Sequence, residues 1–234
     1  MRKFDYTFLK KISVPADIMN SATSIYEMKA KAELRRTDFA DVFSAMESVA
    51  KIQSVKSSNA IERIITTDKR IRDIVNKFTA PQGHNELEIA GYRDALDLIH
   101  GSYSEIPFSE KSILELHRIL LQPSGDDLAG RYKTEDNFII ETDREGVRSV
   151  RFTTVPASET AFAMEQLILA YHAAYLEAEI NPLMLITCVI LDLLCIHPFR
   201  NVNGRMSRLL SLLLMYKSGF NAGKYVSIEE QINT

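Results

Sequence analysis

The chain lacks the residues that mark several protein classes. Its 234 residues include no tryptophan, two cysteines, 9 glycines and 7 prolines. So little glycine and proline excludes collagen-like and low-complexity chains. Neither sign of charge dominates: 28 Lys and Arg stand against 31 Asp and Glu, a net charge of −3. That argues against nucleic-acid binding as the main task, which calls for a basic surface. No run reaches the roughly 18–20 apolar residues of a membrane helix; the best candidate, Leu183 to Ile196, is shorter and carries Asp192. The start, Met1-Arg2-Lys3-Phe4-Asp5-Tyr6, has basic residues but no apolar run behind them, so no signal peptide is expected. Cys188 and Cys195 fall on one helix-forming segment, roughly 10 Å apart along its axis. That is beyond the roughly 7 Å between Cα atoms that a disulfide tolerates. Two such thiols read as small buried apolar residues in a reducing cytoplasm. His84, His100, His117, His172 and His197 lack the spacing of a metal site.

What is present is a composition able to bury a core, 46% hydrophobic and 25% charged. Helical signals dominate. Asn20-Ser21 caps a segment from about Ala22 to Arg36. Phe39, Val42, Phe43, Met46, Val49 and Ile52 recur at three and four spacing up to about Val55, and Ser57-Ser58 caps a short helix after it. Thr67 opens a helix with Ile71, Ile74, Val75 and Phe78 on one face. Further helices are expected over Glu86–His100, from Ser109 to Pro123, from Pro156 to about Glu179, from Asn181-Pro182 to Ile196 and from Asn203 to Gly219. Phe138-Ile139-Ile140 and Val150-Arg151-Phe152-Thr153, separated by the turn Asp143-Arg144-Glu145-Gly146, predict one β-hairpin in an otherwise all-α chain.

The stretch His197-Pro198-Phe199-Arg200-Asn201-Val202-Asn203-Gly204-Arg205-Met206-Ser207-Arg208 carries the most chemistry. Pro198 ends the apolar helix, so His197 stands at a helix C-terminus and the loop runs straight into the next helix N-terminus. Free amides and the macrodipole there favour an anion. Asn203 suits a cap or a left-handed backbone, and Gly204 admits a close ligand. Arg205 and Arg208 share a face of the first turns, the wrong end of a helix for cations, which points to bound phosphate. A histidine beside a polyphosphate suits general base catalysis on a hydroxyl nucleophile.

This stretch resembles the Fic-domain signature, His-Pro-Phe-x-Asp/Glu-Gly-Asn-Gly-Arg-x-x-Arg, and the resemblance extends over most of the chain after about Ser57. It takes in Gly91-Tyr92-Arg93-Asp94-Ala95 and Gly130-Arg131-Tyr132-Lys133. It implies an all-α, Fic-type helical bundle with one inserted β-hairpin flap. It also implies a protein adenylyltransferase moving AMP from ATP to a Ser, Thr or Tyr hydroxyl of a target protein. His197 would then be the base, Asn203 and Gly204 part of the anion hole, Arg205 a triphosphate contact and Arg208 the holder of the terminal phosphate. The target would align on the 137–153 hairpin by strand addition. Two positions depart from the pattern: Asn201 replaces the Mg²⁺-binding carboxylate, so metal affinity falls, and Val202 replaces a glycine, where a β-branched residue disfavours positive φ.

Ser57-Ser58-Asn59-Ala60-Ile61-Glu62-Arg63 resembles the family's inhibitory motif, matching at Ser58 and Glu62 and departing at Arg63. It implies a brake in which Glu62 pairs with Arg208 in the place of the γ-phosphate. The organisation expected is an N-terminal helical extension over 1–56, an inhibitory helix over 57–66, a Fic-like core over 67–226 and the start of a C-terminal element, cut short, over 227–234. Alternatives stay open: a different phosphate-containing donor, a domain that binds nucleotide or a partner without transfer, and a homodimer as the working state. No nucleic acid or membrane is expected as a partner.

Overall fold

A computed structural model describes residues 4–143 and 145–233. Met1, Arg2 and Lys3, Arg144 of the expected turn, and Thr234 lie outside the described residues. Among the described residues the helices are α1 (Ala16–Arg35), α2 (Ala40–Ile61), α3 (Asp68–Val75), α4 (Gly83–Ser102), α5 (Glu110–Leu121), α6 (Ala157–Tyr175), α7 (Pro182–Ile196), α8 (Asn203–Lys217) and α9 (Ile228–Asn233). One antiparallel pair, β1 (Phe138–Thr142) and β2 (Arg148–Thr153), is inserted between α5 and α6. The fold is the all-α bundle with one hairpin that the periodicity predicts.

Several expected boundaries move for physical reasons. The helix expected from Ala22 begins at Ala16 behind Pro15, and Asn20 and Ser21 lie inside it. Proline is well tolerated before a first turn because its missing N–H is an orphan there anyway. The break expected at Ser57 is absent: α2 runs unbroken from Ala40 to Ile61, with Ser57, Ser58 and Asn59 buried within it. The proposed boundary between 56 and 57 therefore falls inside a helix. The side chain of Asn59 bonds back to the Val55 carbonyl at 2.8 Å, which removes its competition with the helical ladder. Phe78 lies beyond α3 and is exposed. Cys188 and Cys195 are partly buried rather than fully buried.

The core is one cluster. It draws Ile89, Tyr92 and Leu96 from α4, Leu116 and Leu120 from α5, Met164 and Leu167 from α6, Val189 and Leu193 from α7 and Met206, Leu209, Leu210 and Leu213 from α8. Asp192 faces inward from the apolar α7, where it accepts a hydrogen bond from the Tyr6 hydroxyl at 3.0 Å. Gly91 marks the closest approach of two helices: a β-carbon there would overlap the carbonyl of Leu120 on α5. No helix of the described residues is long and apolar enough to cross a membrane.

Arg70 on α3 locks onto Glu86 at the start of α4, whose carboxylate also accepts from the Gln82 amide and the Thr66 hydroxyl. The Arg70 bond, ahead of the opposing effect of burial, holds the Glu86 carboxyl at about 2, well below its ordinary 4.5. Because the folded value is the lower one, this stabilisation is complete above about 4.5 and is lost as pH falls through about 2. Glu86→Gln should therefore lower the melting temperature at neutral pH, and the gap to wild type should close on acidification. A gap independent of pH between 7 and 2 in thermal melts would rule out this linkage.

Candidate active site

The histidine loop is built by two helix ends and held from both sides. His197 is the C-cap of α7, in left-handed backbone at φ 53°, ψ 61°, with its N–H on the Leu193 carbonyl at 2.9 Å. Phe199 is fully buried and stacks on His117 of α5, ring centroids 3.9 Å apart and planes within 9°. His117 in turn accepts from the Gly130 amide through Nδ1 at 3.0 Å, and burial pushes its pKa to about 4. On the far side the Asn203 side chain closes on Phe199, accepting from its N–H at 3.0 Å and donating to its carbonyl at 2.7 Å. The left-handed residue ahead of α8 is Val202, φ 61°, ψ 13°, and Asn203 is the first helical residue. The backbone conformation that glycine would favour is kept with valine in place.

A buried lysine ties this loop to the feet of the hairpin. Lys133 donates to the side chains of Asn137 (2.7 Å) and Thr154 (2.9 Å) and to the Ile196 carbonyl (3.2 Å), and its own N–H bonds the Pro198 carbonyl at 2.9 Å. Asn137 donates to the Phe199 carbonyl at 3.0 Å. Burial lowers the Lys133 pKa to about 8. The His197 imidazole is held below its ordinary value first by burial, with the Lys133 charge adding to it; the Leu194 carbonyl and the Glu62 carboxylate pull the other way.

The two arginines of α8 have different surroundings. Arg205 is buried, paired with Glu88 of α4 and in reach of Asn59 Oδ1 at 3.4 Å. Arg208 faces α2: Nε donates to Ser58 Oγ at 2.7 Å, and Nη2 donates to the Ser58 carbonyl and to Glu62 Oε1, both at 2.9 Å. The Glu62 carboxylate also lies directly over Gly204, where an added β-carbon would overlap Oε1. A carboxylate thus covers the N-terminal turn of α8, where amides without intrahelical partners and the helix dipole favour negative charge.

Of the residues picked out in the sequence, Ser58, Glu62, Gly204 and Arg208 meet at one point. Arg205 is turned to Glu88, and the Asn203 side chain faces the loop backbone. Asn201 is exposed. It offers one neutral amide oxygen, and among the described residues no group of three His, Cys, Asp or Glu side chains could hold a metal ion. The residues present do not make a Mg²⁺ site by themselves. Glu88, Asn59, Asn137 and Thr154 escaped sequence reading. Asn59 had one usable signal, a polar side chain on the same helix as Ser58 and Glu62.

Residues 107–215, which span α5, the hairpin, α6, α7, the histidine loop and most of α8, match the Fic/DOC family. This matched segment, a little under half of the chain, is similar to Fic/DOC-family domains. Over 181 residues it is 28% identical to "Protein adenylyltransferase Fic" of Nematostella vectensis, which covers 73% of this chain but only 39% of that protein's length. The chain also resembles solved structures. A Fic family protein from Desulfovibrio desulfuricans superimposes with a TM-score of 0.76 at 19% identity, over 95% of this chain and 64% of the other. A Fic domain-containing signaling protein from Bacteroides thetaiotaomicron gives 0.70 at 21%, over 83% and 73%. Fic-1 of C. elegans gives 0.63 at 23%, over 93% and 63%. These likenesses show the Fic fold; the matched segment begins after α2 and so leaves the Glu62 helix outside it.

Proposed function

We propose that this chain is a protein adenylyltransferase held in check by its own Glu62. The observation that carries the reading is the place of the Glu62 carboxylate, on Arg208 and over Gly204 at the start of α8. A carboxylate there occupies the position suited to a terminal phosphate. In the reaction, ATP lies with its phosphates against the first turn of α8. His197, neutral at physiological pH because burial depresses its pKa, takes the proton of a target hydroxyl. The oxygen forms a bond to the α-phosphorus, the bond to the bridging oxygen breaks, and pyrophosphate leaves. Asn201 brings no charge, so a divalent cation such as Mg²⁺ would be held chiefly by the phosphates it accompanies.

The target segment is proposed to pair with the hairpin. β1 and β2 pair only with each other among the described residues, leaving both outer edges available for strand addition. Asn137 and Thr154 at its feet, joined through Lys133 to the loop, would register a docked segment relative to His197.

The test uses ATP labelled on the α-phosphate and a lysate as source of targets. Label should enter protein with Glu62→Gly and fall at least about a hundredfold when His197→Ala is added. Equal labelling in both would remove His197 as base. A second reading, nucleotide binding without adenylyl transfer or with another phosphate donor, is favoured by Asn201 and by the Arg205–Glu88 pair. It predicts saturable ATP binding and no label in any variant.

A further inference from the structure

Helix α1 lies over a cavity rather than over packed side chains. None of its 20 residues is buried, although a helix draws most of its stability from the face it packs. Between α1, the first half of α2 and the segment behind α8 is a space of about 300 Å³, at the lower end of the roughly 300–1,000 Å³ of small-molecule sites. Its walls include Ile25, Met28 and Ala32 of α1, Met46 of α2 and Met215 of α8. Two edge-to-face ring pairs brace it: Tyr26 meets Phe220 at 5.1 Å between centroids, and Phe43 meets Tyr225 at 4.8 Å. Three charged side chains border the space, all on α1: Lys29, Glu33 and Arg36. Lys29 Nζ sits over the Phe220 ring, 5.0 Å from its centroid. It lies beside Gly219, where a β-carbon would come within 2.7 Å of it. No ion pair engages Lys29 or Arg36 among the described residues, so two cations stand against one carboxylate.

We propose that this cavity binds a single-chain amphipathic anion, an alkyl carboxylate whose chain fills the space under α1 and whose head group meets Lys29 and Arg36. The lining dictates the chemistry. Apolar walls around an empty space forfeit contacts that an alkyl chain would restore. The two cations, two turns apart on one face of α1, suit a carboxylate at its border. A cationic head group would meet like charge there, and a neutral one would leave both cations unpaired. The site is separate from the histidine loop. Met46 is near the start of α2 and Met215 near the end of α8, whereas Glu62 and Gly204 stand at the opposite ends of those helices. The proposal therefore does not rest on the nucleotide chemistry of the loop.

Calorimetry on the full chain with octanoate, decanoate and decyltrimethylammonium tests this. Decanoate should saturate one site and bind roughly tenfold tighter than octanoate, because two more methylenes are buried. Decyltrimethylammonium, with the same chain, should bind at least about threefold more weakly than decanoate, and Lys29→Gln combined with Arg36→Gln should erase that preference. Ala32→Trp, which fills the space from α1, should lower decanoate affinity at least about tenfold. Leu34→Gln, on the exposed side of the same helix, should leave it unchanged. The charge variants, on the surface of α1, decide the matter if Ala32→Trp does not fold. Absence of binding, a titration that does not saturate, equal binding of the two head groups, or full affinity in a folded Ala32→Trp overturns the proposal. So does a dimer in sedimentation that excludes decanoate, which would give the cavity to a second copy of the chain. Binding to phosphatidylglycerol vesicles alone would make α1 a membrane contact instead, and would overturn it too.

Discussion

Glu62→Gly is expected to raise the affinity for ATP about tenfold or more, roughly 1.4 kcal/mol, and to leave AMP within about twofold. The ion pair itself is not the main reason. Glu62 is 37% exposed, and a pair of that kind contributes about 1 kcal/mol or less. The larger effect is on the ligand. A triphosphate reaching Arg208 must displace a carboxylate already seated over Gly204 and then lie beside its negative charge. AMP has no terminal phosphate to bring there, so the ratio of the two affinities isolates the effect. Arg208 keeps Ser58 as partner in the variant, and glycine stands at a helix C-cap, where it is tolerated well. The fold should therefore hold. An unchanged ATP-to-AMP ratio would show that Glu62 does not guard the phosphate site.

Gly91→Ala is expected to destabilise the protein by roughly 3 kcal/mol, a fall of about 6–12 °C in melting temperature at this chain length. Helix propensity alone predicts the reverse, a gain of up to about 1 kcal/mol. Packing decides the sign, because the added methyl would meet the backbone carbonyl of Leu120, which cannot swing aside as a side-chain tip can. α5 has to move, and α5 carries His117, the ring on which Phe199 of the histidine loop is stacked. Gly101 lies on the same helix with open space around its β-position. Gly101→Ala should be neutral or slightly stabilising, which makes it the control. Equal melting temperatures for the two alanine variants would refute the steric argument.

The helices, the hairpin and the histidine loop were legible in the sequence because each has a local signal. Three-and-four apolar spacing marks the core faces, Pro198 marks the end of α7, and a turn composition between β-prone runs marks the hairpin. The pairing of Glu62 with Arg208 was legible through family resemblance, since nothing local announces a contact between residues so far apart. Two things were hidden. The serines at 57 and 58 look like a cap, yet both are buried inside α2, where neighbouring helices supply partners that no local pattern contains. Arg205 looks as ready for phosphate as Arg208. What separates them is Glu88, and its approach to Arg205 depends on how α4 crosses α8.

Val202 holds left-handed backbone that glycine adopts without strain. For a non-glycine residue that conformation costs roughly 1–2 kcal/mol in the folded state. The unfolded chain answers in the opposite direction. Valine has fewer accessible conformations than glycine, so it gives up about 0.4–1 kcal/mol less entropy on folding. The strain is the larger of the two, so a return to glycine would gain the protein up to about 1.5 kcal/mol. The loop therefore keeps the shape of a glycine-bearing loop through its neighbours, the Asn203–Phe199 clasp and the Phe199–His117 stack. Those contacts therefore hold a net strain at Val202, and they also limit how freely the backbone there can flex.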